Sequence, residues 1–480
     1  MHRRSWLILL IAFLAFGCVQ SPPVDSPSSS PTQTPTVLPP SLTPSPEPTL
    51  RASETPSPSL APSPSGASSP TYSPSSQHLM ENGLPCSQER QSFHPGKSLV
   101  IDSKNPQIMY IGMEGAGILK TTNGGISWKS INNGLRAYPD SENPGKYCYG
   151  DVGQMIIDPT DSDRILFARA DTSTGTIYDP YSETAGVWES LDVGESWHQL
   201  LKDRMNAGGT GALAFDPTNP QIIYYGVDST APTISDPDPN WKTVYDGVFY
   251  KTVNGGETWD ELPTGLLVGL QGIAIFVNPE NSRHVLALTN SHDHAVSPDG
   301  SHLEVMLPVQ FGPVVSRDGG ASWSALAKNL PEKYRSIFGG DVSFNQFNHF
   351  FVKPLRFDEG STYDDQKSFV TLDGGSTFHE TPFYLDVARY DPHDASGNHL
   401  LGYTLVRNSL MESADGGLTW QELSPLPPGV RDAKVYVSHI VWHPDDSKTV
   451  FMIANYAYVW KSADGGKTWT NLLNVDKLPG

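Results

Sequence analysis

Apolar and polar positions alternate in very short runs over most of this chain. Runs of two or three apolar residues stand at Gly117-Ile118-Leu119, Val187-Trp188, Val248-Phe249-Tyr250, Val314-Val315, Phe369-Val370, Leu410-Met411 and Val459-Trp460. Each is followed within a few residues by a polar, glycine-containing unit that ends on an aromatic residue. Apolar runs this short, β-branched or aromatic in character and bounded by turn residues, predict strands.

The polar unit is eight residues long and occurs seven times, on the template Ser/Thr-x-Asp/Asn-x-Gly-x-Ser/Thr-Trp/Phe. It begins at Thr121, Ser190, Thr252, Ser316, Thr371, Ser413 and Ser462, the last copy reading Ser462-Ala463-Asp464-Gly465-Gly466-Lys467-Thr468-Trp469. Its third position is Asn123, Asp192, Asn254, Asp318, Asp373, Asp415 and Asp464 in turn. An Asp or Asn there can hydrogen-bond backbone two residues on, and the glycine two places later can take positive φ. The unit therefore predicts a tight turn between two strands. In most copies an apolar residue stands three after the aromatic, as in Trp197–Leu200 and Trp420–Leu423. Successive copies are 69, 62, 64, 55, 42 and 49 residues apart, the spacing of a repeat architecture.

Seven such units in register resemble the Asp-box (BNR) repeat of sialidases, sortilins, two-propeller xyloglucanases and photosystem II assembly propellers. The resemblance implies that each box joins the third and fourth strands of a propeller blade and is structural. A second recurring unit precedes each box: strand, Asx-Pro turn, strand, as in Ile157-Asp158-Pro159-Thr160-Asp161 and Phe215-Asp216-Pro217-Thr218-Asn219. The fifth and sixth copies, Phe344–Phe351 and Tyr390–Leu401, depart most from this pattern. Together the two units predict an all-β fold: a single seven-bladed β-propeller with four-stranded antiparallel blades. Thr470–Leu473 supplies the last blade with its own fourth strand, so the ring needs no N-terminal strand to close.

The region before the propeller has a different composition. His2-Arg3-Arg4 is a basic patch, Trp6–Phe16 is apolar, and Gly17-Cys18 follows, which predicts an export signal over 1–17. Leu14-Ala15-Phe16-Gly17-Cys18 resembles a bacterial lipobox, and the resemblance implies lipidation of Cys18 and anchorage to the outer face of a bacterial cell membrane. Residues 21–77 hold 40 Pro, Ser or Thr among 57 and a lone aromatic, Tyr72. Such a segment buries too little apolar surface to offset ordering entropy, so 18–78 is expected as a disordered stalk and 79–480 as the propeller.

Charge narrows the partners. The net charge is −20, and residues 1–78 carry three basic and three acidic residues, so the whole excess belongs to the propeller. That argues against nucleic acid and anionic lipid. Besides Cys18 there are only Cys86 and Cys148, which exported proteins can pair. No zinc spacing and no cofactor motif occurs, and His292-Asp293-His294 with His302 reads as a solvated loop rather than a metal site.

The two short turns of each blade fall on one face, so the long 2–3 loops and the links between blades fall on the other. Long loops on a rigid scaffold are where binding usually resides. Residues just after the second strands, Glu114, Asp171, Asp228, Asn290 and Asn455, are expected to ring the channel mouth there, with Tyr178, Trp241 and Tyr245 above them. Aromatic rings beside carboxylates suit glycan or peptide recognition. Arg169-Ala170-Asp171 is similar to an Arg-Thr-Asp segment of xyloglucanases whose Asp is catalytic, which makes Asp171 and Asp228 the candidates for an enzyme. Three readings follow: a non-catalytic, monomeric lipoprotein binding a carbohydrate, peptide or protein; a xyloglucanase- or sialidase-like glycoside hydrolase; and an assembly factor for a membrane protein complex.

Overall fold

The computed structural model divides into two units, 1–72 and 73–480. The structure describes residues 98–113, 117–139, 147–149, 151–170, 185–202, 211–226, 249–262, 271–290, 294–296, 303–305, 312–334, 337–354, 366–427, 437–454 and 458–474, all in the second unit. They form seven four-stranded antiparallel sheets, each an up-and-down run of consecutive strands, arranged as a β-propeller. The inner strands are Ser98–Ile101, Asp151–Ile157, Ala212–Phe215, Gln271–Asn278, Ile337–Val342, Val387–Tyr390 and Val437–Trp442. Each inner strand touches the next around the ring, and that of blade seven touches that of blade one, so the ring is closed. The last blade has its own fourth strand, Thr470–Asn474, in agreement with the sequence.

The box folds as its sequence predicts. In blade seven the Ser462 hydroxyl donates to Asp464 Oδ1 at 2.8 Å and accepts from Gly466 N–H at 2.8 Å. Asp464 then accepts the Thr468 N–H and hydroxyl at 2.8 and 2.7 Å. These bonds hold the carboxyl of Asp464 down at about 2. Both box glycines sit at positive φ, 76° and 91°. Box two is the exception: Val193 takes the first of these positions at φ 60°.

Boxes also join the blades. Ile131, Leu200, Leu262, Leu326, Leu423 and Leu472, each three after a box tryptophan, lie against the second box glycine of the following blade. In blade five that place is Thr381, and Val370 packs on Gly417 instead. On the same face each box donates a backbone N–H to the turn between strands one and two, as from Gly465 to the Lys448 carbonyl at 2.7 Å. Those turns link to their neighbours in turn: Ser162 Oγ donates to Asp102 at 2.8 Å, Ser282 Oγ to Asp216 at 2.8 Å, and Asn345 Nδ2 to the Pro392 carbonyl at 2.9 Å. The box face is thus spent on structure. The apolar core lies between blades, in clusters such as Tyr110, Ile131, Phe167 and Trp197 at the seam of blades one and two.

Candidate functional site at the seam of blades five and six

Most of the irregularities of the inner strands lie toward the opposite end of the propeller, with one more at Val277/Asn278 beside the box-face turn of blade four. Their ladders slip at Val152/Met155, Gly272/Ala274, Ile337/Gly340 and Val437/His439, in blades two, four, five and seven. Bulges of this kind re-aim side chains at rims and binding sites. Two short hairpins stand on the same side, Ala137–Pro139 with Tyr147–Tyr149 and His294–Val296 with Leu303–Val305. Arg169, fully buried with its guanidinium 5.4 Å from the Trp188 ring, donates to the Arg136 carbonyl at 3.1 Å and ties down the base of the first hairpin.

One seam differs in chemistry from the rest. Just before its end, the inner strand carries Val100, Ile156, Ala214, Phe276 and Val441 in five blades, but Asp341 in blade five and Arg389 in blade six. On the second strand, two residues past the partner of that position, six blades carry Gly112, Ala168, Gly226, Leu288, Tyr403 and Ile453. Blade five carries Lys353. Three charges therefore replace apolar residues at one place in the ring.

The geometry shows how they are held. Arg389 Nη1 lies 3.7 Å from Asp341 Oδ1 and donates to the Gly340 carbonyl at 3.0 Å. Asp341 Oδ2 accepts the Tyr390 N–H at 2.9 Å. Asp386, buried at the start of the blade-six inner strand, accepts the Leu405 N–H at 2.6 Å. Lys353 crosses the inner strand at Gly339: a Cβ there would meet its Cε at 3.2 Å and its Nζ at 3.7 Å. A side chain at 339 would crowd the lysine by a few tenths of an ångström, so glycine leaves its path along the bulge open.

Electrostatics follow from burial. Desolvation pushes the Asp341 carboxyl up, against the opposing pull of Arg389 and the Tyr390 N–H. It pushes the Lys353 amine down, with Asp386 opposing and Arg389 reinforcing. Tyr390, whose buried hydroxyl has no hydrogen-bond partner among the described residues, is driven up by burial and by the charge of Asp341. Titratable groups shifted in opposite directions beside one another are a recognised mark of function.

The sequence missed this cluster, although a signal was present. Aligning the seven repeats position by position sets Asp341, Lys353 and Arg389 against apolar residues elsewhere. The fifth and sixth repeats are the ones whose turn pattern is most degraded. Of the predicted mouth residues, Asn290 ends the second strand of blade four, its backbone paired with Gln271. Glu114, Asp171, Asp228, Asn455, Tyr178, Trp241 and Tyr245 lie outside the described residues, as do Cys18 and Cys86. Cys148 lies in the second strand of the first hairpin. Among the described residues no group of three or more His, Cys, Asp or Glu is placed to hold a metal.

The fold is a seven-bladed propeller, and the seam of its blades five and six carries Asp341, Lys353 and Arg389. The chain matches no family model. It is 22% identical over 234 residues to the photosystem II stability/assembly factor HCF136 of Cyanidioschyzon merolae, covering 39% of this chain and 52% of that one. It is also 22% identical over 365 residues to a xyloglucanase of a Paenibacillus species, covering 69% of this chain and 32% of that one. The chain thus spans about half and about a third of these relatives' lengths. An ancestral GH74 enzyme superposes with a TM-score of 0.54 at 15% identity, over 80% of this chain and 47% of that one. This similarity is one of fold.

Proposed function

We propose that this chain is a non-catalytic propeller that binds a glycan, peptide or protein ligand at the mouth opposite the boxes. In this reading it works as a monomer without cofactor, held on the outer face of a bacterial cell membrane by a lipid on Cys18. The observation that carries the proposal is the charged seam, in which Lys353 stands near the end of its strand away from the boxes while Asp341 and Arg389 lie lower, toward the turns between strands one and two. Asp341, Lys353 and Arg389 stand where the other blades carry apolar residues, and a partly buried ion pair gains little over apolar packing. Charges kept for so little gain suit recognition. The box face supports the same choice, because its polar groups are already hydrogen-bonded among themselves.

Similarity to a xyloglucanase favours a second reading, glycoside hydrolysis. In it Asp341, whose carboxyl is held up by burial, is the acid, and Asp171 and Asp228 are the partners named from sequence. Both described carboxylates of the seam already accept backbone N–H groups, which suits a fixed binding site better than a proton shuttle. Similarity to an assembly factor is compatible with the protein-ligand form of the first reading.

The deciding experiment incubates the full-length protein with xyloglucan, β-glucans and sialosides, alongside a glycan and peptide array. Binding without turnover supports the proposal. Turnover in the wild type that vanishes in Asp171→Ala or Asp341→Asn, with the fold intact, establishes the enzyme instead.

A further inference from the structure

We infer that Lys353 and Arg389 form a subsite for a carboxylate group of the ligand at the seam of blades five and six, an inference that rests on the binding reading above.

Two cations of different kinds converge there. The Arg389 guanidinium is fixed by the Gly340 carbonyl and by Asp341, so part of its fork is committed and its position is set. Among the described residues no hydrogen bond or ion pair engages the Lys353 ammonium, and the lysine side chain lies along Gly339, where a Cβ would stand 3.2 Å from its Cε. An ammonium partly removed from water, with no acceptor among the described residues, gains from any anion that supplies one. Every other charge of the seam is committed: Asp341 to Arg389 and the Tyr390 N–H, Asp386 to the Leu405 N–H.

Charge sets the class of anion. With both acids ionised and both bases protonated, the four groups sum to zero. A monoanion then leaves one net charge in a partly desolvated site, whereas a phosphate dianion leaves two. A carboxylate matches the ammonium-plus-guanidinium pair with the smaller penalty. The excess acid of the propeller repels anions at long range, so the subsite acts through contact and not through steering.

The test uses the full chain carrying ¹³Cε-lysine. Wild type, Lys353→Met and Lys353→Arg are titrated with D-glucuronate, N-acetylalanine, inorganic phosphate and neutral methyl glucoside. The expected result is a shift of the Lys353 Cε resonance with glucuronate or N-acetylalanine. At least a tenfold loss of affinity is expected in Lys353→Met and retention in Lys353→Arg. Which of the two carboxylates binds better tells a sugar acid from a peptide terminus. A Lys353 resonance that ignores both carboxylates, or equal affinity in folded Lys353→Met, overturns the subsite. Preference for phosphate overturns it as well. Array binding that persists in Lys353→Met would reject the subsite alone, while a wild type that binds nothing on the array rejects the broader reading too. The wild-type resonance keeps the test decisive if Lys353→Met fails to fold.

Discussion

Leu472, in the last strand of the propeller, packs on Gly125, in its first box: a Cβ on Gly125 would stand 2.8 Å from Leu472 Cδ1. The same leucine-on-glycine contact joins most other neighbouring blades, so the ring is closed by repeating its ordinary joint. Leu472 is buried, and Leu472→Ala is expected to destabilise the fold by about 2–5 kcal/mol, as large-to-small core changes do. Leu423→Ala, at the joint of blades six and seven, should cost a similar amount. Urea denaturation followed by tryptophan fluorescence measures both. A loss below 1 kcal/mol at Leu472 with a normal loss at Leu423 would mean that the ring is not held shut at this contact.

Val193 should be a correctable defect. A β-branched residue at φ 60° carries about 1–2 kcal/mol of strain, and glycine returns about 0.5–1 of that as backbone entropy. Val193→Gly is therefore expected to raise stability by about 0.5–1 kcal/mol. The converse change, Gly465→Val, isolates the backbone contribution, because a Cβ at Gly465 meets nothing within 4 Å. It should cost about 1–2 kcal/mol. Thermal melts of the two variants, read together, check the sign of each.

The boxes should matter for folding and not for binding. Trp420 donates to the Gly417 carbonyl at 2.8 Å and packs over Gly402, so Trp420→Ala should cost about 3–5 kcal/mol. Asp415→Ala removes the bonds from Ser413 and Thr419 and should cost about 1–3. Whatever fraction remains folded should bind ligand with unchanged affinity. Lost affinity in a folded variant would contradict the structural role of the boxes.

The seam of blades six and seven should depend on pH through His399. Its Nδ1 lies 2.8 Å from Asp391 and its Nε2 3.1 Å from Glu412, and its ring stands edge-on to Trp442. The hydrogen bond to Asp391 raises its pKa most, burial opposes, and Glu412 adds to the rise. A raised folded pKa stabilises the protein in full below the unfolded value of about 6.5. That contribution disappears as pH rises through the folded value. The urea midpoint of the wild type should fall over that window, and the fall should shrink in His399→Gln. Parallel curves for the two proteins would remove His399 from the explanation.

The charged seam allows a test that separates stability from function. Asp341→Val alone leaves the partly exposed Arg389 without its acid and should cost about 1–3 kcal/mol. Asp341→Val with Arg389→Val restores the apolar pattern of Val100 and Val441, and should be neutral or stabilising by about 1–4 kcal/mol. The double variant should nevertheless lose ligand. A double variant as unstable as the single one would show that the pair is a structural requirement.

The sequence made the boxes legible because their bonds are local. The hydroxyl of Ser462, the carboxylate of Asp464 and the N–H of Gly466 lie within one turn of chain, so eight residues carry the whole interaction. The Asx turn at Asp216 is of the same kind, closing on Thr218 two residues on. The joint between blades was half legible. The leucine three after the tryptophan could be seen, but its partner glycine is in the next repeat, and nothing local names it.

The charged seam was not read at all, and the reason is physical. Asp341 and Arg389 are separated by most of a repeat, and they meet only because inner strands of successive blades run side by side. Lys353 lies along the bulge at Gly339, and a one-residue slip in a ladder leaves no periodic trace. The seven turns, the strand count and the ring were written in short-range pattern. The seam took shape only when blade five packed against blade six, because the burial that shifts its charges exists only in the closed ring.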